Sequence, residues 1–270
     1  MILGIIITFF LVLYLLAVMP RIFGVPDKTP FQGKFYAHGG LHDNAGEAPE
    51  NSMLAFRRAV GLGYGIEMDV QLTKDRIPVV FHDETLKRAC GGEGTVRDFT
   101  YKELQEFRLF DSEQRIPLFV DSLNMVNGQV PLIVEIKIHE NPKVVCEFVD
   151  AVLKEYQGIY CVESFHPLAV RWYRKNRSTV LRGQLASDYH KPEHRESFSE
   201  FLVHYLLLNF LAKPDFIAYN HKHKYNVSRL VCKYVFGALS VAWTIRSQNE
   251  LDDCRKDFDL FIMEGFTPNE

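Results

Sequence analysis

Two acidic residues, Glu67 and Asp69, stand two apart in an apolar run that also holds Ile66, Met68 and Val70. Side chains two apart on a strand point to the same face. The spacing therefore predicts two carboxylates side by side, with the apolar residues on the opposite face. Paired carboxylates repel each other and lose hydration when partly buried. A hard divalent cation relieves both costs. An edge strand showing two acids to solvent is the alternative. A polar turn at 73–76 follows, and a second apolar run, 77–81, ends on His82-Asp83. Residues 131–138 read PLIVEIKI, with Glu135 and Lys137 again two apart. A charged pair in such a run is costly unless it is paired or used. Contact between these two, or with a neighbouring strand, is the structural explanation. A further short run, 35–38, ends on His38. Taken together, Glu67, Asp69 and Glu135 make a three-carboxylate cation site the better reading. His38 and His82 add an acid and a base that titrate near neutral pH.

These six side chains need a scaffold that brings separate strand ends together. Strand-like runs recur at 35–38, 65–72, 77–82, 131–138, 160–165, 180–185, 216–219, 239–245 and 260–263. Helical patterns at 51–62, 101–107, 143–156, 168–175, 228–236 and 248–256 separate most of them. Residues 49–52, PENS, cap the first of these helices. Regular alternation of this kind implies a parallel sheet. About eight such units predict an α/β fold, a closed TIM (β/α)8 barrel. An open doubly wound sheet is the alternative. In a closed barrel, reactive groups gather at the C-terminal ends of the strands, which is where the six residues fall. No glycine-rich dinucleotide or phosphate loop is present.

A net charge of -3 and the lack of a basic block give no reason to expect nucleic acid. The five scattered cysteines form no CxxC pair and favour a reducing compartment. Residues 2–19 form one apolar run closed by Pro20-Arg21. About 18–20 apolar residues can cross a hydrocarbon core. No basic residue precedes the run and no small-residue cleavage site follows. The expectation is an uncleaved transmembrane helix over 1–20 rather than a signal peptide. Arg21, Lys28 and Lys34 all follow the run. That places the chain in the cell membrane, single-pass, with its globular part cytoplasmic. Residues 21–33, rich in glycine and proline, read as a linker, and 34–270 as the barrel domain. The apolar stretch 197–213 reads as a buried or interface-facing barrel helix, with a second membrane span as the alternative.

The chain resembles the glycerophosphodiester phosphodiesterases, which are divalent-metal TIM barrels, in a membrane-anchored bacterial-type form. The matching text is AHGG at 37–40, PENSMLAFRRAV at 49–60, GYGIEMDVQLTKDRIPVVFHDETLKR at 63–88 and VEIK at 134–137, with looser echoes in ESF at 163–165, RGQL at 182–185 and WTI at 243–245. The resemblance implies that Glu67, Asp69 and Glu135 ligate Mg, Ca or Mn, and that His38 and His82 are the catalytic pair. It implies that Lys137 contacts the phosphate. Glu50 would support the site near the metal, and Trp243 would line the substrate cleft, a packed barrel tryptophan being the alternative for the latter. The implied reaction cleaves a small or lipid-derived phosphodiester to an alcohol and a glycerol phosphate, within glycerophospholipid metabolism. A lysophospholipase D or related phospholipase on the same barrel is an alternative, as is a non-catalytic phosphodiester-binding module. The second alternative arises because the family's His-Arg-Gly reads His38-Gly39-Gly40 here. The missing arginine would remove a fork of donors worth about 1.5–3 kcal/mol. Lys137 or a neighbouring arginine would partly substitute, and Gly39 would free space for a different head group. His42, four residues on, is close enough to reach the same rim, with an ordinary solvated loop histidine as the favoured reading.

Overall fold

The computed structural model describes residues 1–188 and 197–269. Nine strands share one sheet. They are β1 (Phe35–His38), β2 (Gly65–Leu72), β3 (Pro78–Val80), β4 (Leu132–Ile136), β5 (Tyr160–Ser164), β6 (Arg182–Ala186), β7 (Phe216–Asn220), β8 (Leu239–Ile245) and β9 (Leu260–Met263). Eight of them run parallel, and β1 pairs with both β2 and β9, which closes the barrel. The strand expected at 77–82 is present as the short β3, antiparallel to β2 and outside the ring. The turn at 73–76 is too short for a parallel crossover, which needs a dozen residues or more.

Around the ring lie α1 (Ile2–Val18), α2 (Met53–Gly61), α3 (Lys87–Cys90), α4 (Tyr101–Leu104), α5 (Phe119–Val126), α6 (Pro142–Leu153), α7 (Pro167–Asn176), α8 (Phe198–His204), α9 (Asn209–Ala212), α10 (Val227–Leu230) and α11 (Gln248–Cys254). The cap expected before α2 is Ser52, whose Oγ accepts from Ala55 N at 3.1 Å. Such a cap contributes about 1 kcal/mol, and it fixes Glu50 and Asn51 at the mouth of the barrel. Gly40 turns the chain into this segment with φ +83°, and a Cβ there would lie 2.7 Å from the carbonyl carbon of Ala55. Only glycine fits that approach without strain.

Strand alternation divides the core in two. Ile66, Met68, Val70, Val134 and Ile136 face outward and pack under Phe56, Phe119, Val145 and Val149 of the helices. Tyr36, Ile133, Cys161, Phe216, Val241 and Ile262 fill the barrel interior, joined by Phe31. Phe31 is buried and its carbonyl accepts from Tyr36 Oη at 2.9 Å, so part of the expected linker is barrel core. The same alternation turns Glu67, Asp69 and Glu135 inward above that apolar filling.

Among the described residues, no helix is long and apolar enough to cross a membrane. This corrects the expectation for 1–20. The apolar run forms α1, 17 residues long, or about 25 Å at the helical rise, against a hydrocarbon core of about 30 Å. Met19 is extended and ends it. The last turn is fastened to the barrel. Val18 is fully buried, its carbonyl accepts from Asn209 Nδ2 at 2.8 Å, and Tyr14 Oη lies 2.9 Å from Ser228 Oγ. The stretch 197–213 is not one helix either. It breaks into α8 and α9 around Leu206, whose φ is +55°.

Candidate active site

The parallel register sets the site. His38 aligns with Glu67, Asp69 with Glu135, and Glu135 with Glu163. Two neighbouring strands, β2 and β4, thus bring Glu67, Asp69 and Glu135 to one point, with one oxygen of each within 4.8 Å of the others. All three are buried. Lys137 Nζ lies 2.9 Å from Asp69 Oδ1 and 2.9 Å from Glu135 Oε2. The contact expected as a structural explanation for Glu135 and Lys137 is therefore present, and it sits inside the acidic cluster.

Four carboxylates, counting Glu163, surround this one ammonium. Burial, with repulsion from Asp69, Glu135 and Glu163, pushes Glu67 well above the usual carboxylate range. Burial raises Glu135 too, against the pull of Lys137. Burial also acts to raise Asp69, but Lys137 and the two histidines outweigh it and hold that carboxylate ionised. Asn51 Nδ2 donates to Asp69 Oδ2 at 2.8 Å and fixes its orientation. An all-oxygen donor set starved of positive charge fits a hard divalent cation.

The two histidines meet edge-on beside this cluster, with ring centroids 5.4 Å apart. Their surroundings push them in opposite directions. Burial lowers His38 to about 4, with Asp69 opposing. Asp69 raises His82 against its burial, and a bond to Asp83 adds to that. His82 Nδ1 donates to Asp83 Oδ1 at 2.7 Å. Arg88 holds Asp83 in turn, with Nε to Oδ2 at 2.6 Å, and it also bonds Glu50. Glu50 is thus placed beside His82 and Asp83, and reaches the histidine through Arg88 rather than joining the three carboxylates. His38 Nδ1 lies 3.7 Å from Glu264 Oε2, and His42 Nε2 lies 3.8 Å from Glu264 Oε1. The His42 side chain is mostly buried, not solvated as expected.

His38, Glu50, Glu67, His82, Glu135, Lys137 and Trp243 line one cavity of about 330 Å³. Trp243 meets Phe165 edge-on at 5.6 Å, and its indole nitrogen has no hydrogen-bond partner among the described residues. The room expected at Gly39 is absent. A Cβ there would lie 3.2 Å from Asn51 N and from Glu50 Cβ, and Gly39 does not line the cavity. Arg88, Lys222 and Arg246 also line it. Arg88 is held by two carboxylates, and Arg246 Nη2 bonds Glu264 Oε2 at 2.7 Å.

Sequence reasoning missed Asn51, Asp83, Arg88, Glu163 and Glu264 as parts of the site. Glu264 follows β9 directly, so the strand-end rule that selected His38 would have found it. Glu163 shares an inward strand position with Glu135. Arg88 carried no periodic signal, because the single-turn α3 that places it is too short to show one.

A model of the glycerophosphoryl diester phosphodiesterase family matches residues 42–256. A glycerophosphodiester phosphodiesterase of Caldanaerobacter subterraneus is 36% identical over 152 residues, which is 52% of this chain and 60% of that protein. A human lysophospholipase D is 32% identical over 53% of this chain and 48% of its own length. The chain therefore spans about half to three-fifths of the length of these two relatives. An Oleispira antarctica phosphodiesterase, solved with the product sn-glycerol-3-phosphate, superposes with a TM-score of 0.69 at 22% identity, covering 86% of this chain and 93% of that one. A Parabacteroides distasonis glycerophosphodiester phosphodiesterase gives 0.68 at 23%, covering 85% and 92%. These two likenesses speak for the barrel alone. The family match takes in both carboxylate-bearing strands and His82, and on it the chain belongs to the glycerophosphoryl diester phosphodiesterase family.

Proposed function

We propose that this chain hydrolyses glycerophosphodiesters to an alcohol and glycerol phosphate, using a divalent cation (Mg, Ca or Mn) held by Glu67, Asp69 and Glu135. The observation that carries the reading is the buried three-carboxylate cluster facing the His38–His82 pair in one cavity. Bound there, the cation would neutralise the non-bridging phosphate oxygens and help orient the attacking hydroxyl. His38, neutral because burial lowers it, removes the proton of that hydroxyl. His82, held protonated by Asp69 and Asp83, gives its proton to the leaving alkoxide. The opposed directions of the two histidines support this division of labour. Lys137 contacts the phosphate, and Lys222 and Arg246 on the rim contribute charge in place of the missing arginine. Glu50 keeps Arg88 and Asp83 in line behind His82, and Trp243 walls the substrate cleft. The product bound by the Oleispira protein agrees with a phosphomonoester product of this kind.

We also propose that residues 1–20 act as an apolar arm that holds the chain at the cell membrane, with 21–33 as connector and the 34–270 barrel on the cytoplasmic side. Ile2, Leu3, Ile5, Phe9 and Phe10 are each more than half exposed, which an aqueous environment alone does not favour. Arg21, Lys28 and Lys34 follow the arm and favour the cytoplasmic face.

Four outcomes are expected. Release of choline from glycerophosphocholine by the full chain stops in EDTA and returns with Mg, Ca or Mn. His82→Ala lowers kcat by about 10²–10⁴ while cation affinity, read by calorimetry, stays within a few-fold. Absence of turnover with every cation would sink the reading. Asp83→Asn removes a partner that raises His82, so His82 loses its proton at lower pH and the alkaline limb of the kcat profile moves acidward. An unmoved limb would show that Asp83 does not hold that proton. For the arm, the chain should float with phosphatidylglycerol vesicles, and a variant carrying Ile6→Asp and Phe10→Asp should not; equal flotation of both would remove the arm from the account.

A further inference from the structure

A concavity of about 400 Å³ lies at the base of the apolar arm. Met19 and Pro20, which follow α1 directly, form part of its wall. So does Arg182, the first residue of β6, at the end of the barrel opposite the catalytic mouth. Four cations line the space: Arg21, Arg174, Arg182 and Lys213. Among the described residues their ion pairs all go to one carboxylate, Asp215, which lies 3.4 Å from Arg21 Nη1 and 3.4 Å from Arg182 Nη1. Arg174 Nη1 donates to the carbonyl of Leu211 at 2.9 Å, and Lys213 Nζ to that of Met19 at 3.0 Å. Neutral carbonyls orient these two side chains without balancing their charge. We propose that the concavity binds the phosphate of an anionic glycerophospholipid in the leaflet that holds the arm. The inference rests on the arm proposed above and is independent of the phosphodiesterase reading.

Three observations select this occupant. The first is an uncompensated buried charge. Arg182 is 2% exposed, and its Nη1 makes no hydrogen bond among the described residues. A guanidinium buried beside three other cations is costly unless an anion completes the set. Burial lowers Arg182 to about 10 against the pull of Asp215, and Arg21 and Arg174 add to the lowering. Burial and Arg174 also lower Lys213. The second is the donors still to be used. Only Nη1 of the Arg174 guanidinium is engaged, and Lys213 Nζ makes one bond of the three it can. A phosphate accepts from a guanidinium fork and an ammonium together. The third is position. Ile22 and Phe23 also line the concavity, at 41% and 83% exposed. With α1 in hydrocarbon, its C-terminal end brings 19–23 to the head-group layer, where lipid phosphates lie. A dissolved phosphate would leave Ile22 and Phe23 uncovered, whereas a lipid phosphate comes with acyl chains to cover them.

No residue is shared between this concavity and the catalytic cavity. A lipid can therefore stay at the base of the arm through turnover, as an attachment point and not as a substrate.

The test is flotation of the full chain with phosphatidylcholine vesicles, plain or doped with phosphatidylglycerol, at fixed ionic strength. The chain should bind the doped vesicles more tightly. Arg174→Gln with Lys213→Gln removes two charges from the concavity while keeping donors for the carbonyls. Lys28→Gln with Lys34→Gln removes the same charge beside the arm but outside the concavity. The first variant should bind doped vesicles about tenfold more weakly than the second. Equal losses would show diffuse attraction to the surface and overturn the site. Equal binding of the unaltered chain to plain and doped vesicles would overturn the site and leave the arm in place, and binding to neither would overturn both. Sodium phosphate exchanged for chloride at the same ionic strength should leave flotation unchanged. Release by phosphate would make the dissolved anion the ligand and overturn the lipid assignment. Melting curves show whether the variants fold. If the concavity variant does not, Lys213→Gln against Lys34→Gln makes the same comparison, with a separation of about threefold.

Discussion

Everything at the mouth of this barrel depends on one charge imbalance. Lys137 puts a single ammonium between Asp69 and Glu135, while Glu67 and Glu163 crowd the same buried space. Buried like charges raise each other's proton affinity, and Glu67, Glu135 and Glu163 all move that way. Asp69 alone is held ionised, by Lys137 and the histidines. A hydrophobic core would never choose such a cluster for stability, because unpaired buried carboxylates cost more than they return. The arrangement is suited to a cation and a phosphate that bring the missing charge of each sign.

The rest of the site serves that centre from outside. β2 and β4 carry the carboxylates on rigid backbone, so their spacing is set by sheet geometry. The histidines come from a strand end and from the arm after β3, and each is tuned by what surrounds it. Burial makes His38 a poor cation, and Asp69 with Asp83 makes His82 a good one. The chain Glu50–Arg88–Asp83–His82 ties α3 to the segments before α2 and after β3, so the orientation of the imidazole depends on residues far from it in sequence. Charge-assisted bonds of this kind are the strong ones.

Much of this was legible in the sequence because a strand has a period of two. Glu67 with Asp69, and Glu135 with Lys137, reveal one face each without any knowledge of the fold. The barrel followed from regular alternation of strand and helix, and the short turn at 73–76 makes β3 antiparallel and leaves it outside the ring. What stayed hidden is set by loops and by tertiary packing. Arg88 reaches the site from the single-turn α3 and Asn51 from a turn, and neither shows a period. The space at Gly39 depends on Glu50 and Asn51 lying against it. The extent of the N-terminal helix depends on Val18 being claimed by the barrel, where hydropathy alone continued the run to Met19.

The most direct test of the account is a calorimetric titration of the full chain with Mg, Ca or Mn between pH 5 and 7, in buffers of different ionisation enthalpy. If Glu67 and Glu135 are short of positive charge, a bound cation drives off protons that they held, because ligating carboxylates must be ionised. The account predicts net proton release on binding, reduced in Glu67→Gln together with the affinity. Cation binding with no proton exchange, or binding that Glu67→Gln leaves unchanged, would contradict the claim that this cluster is organised around a metal ion.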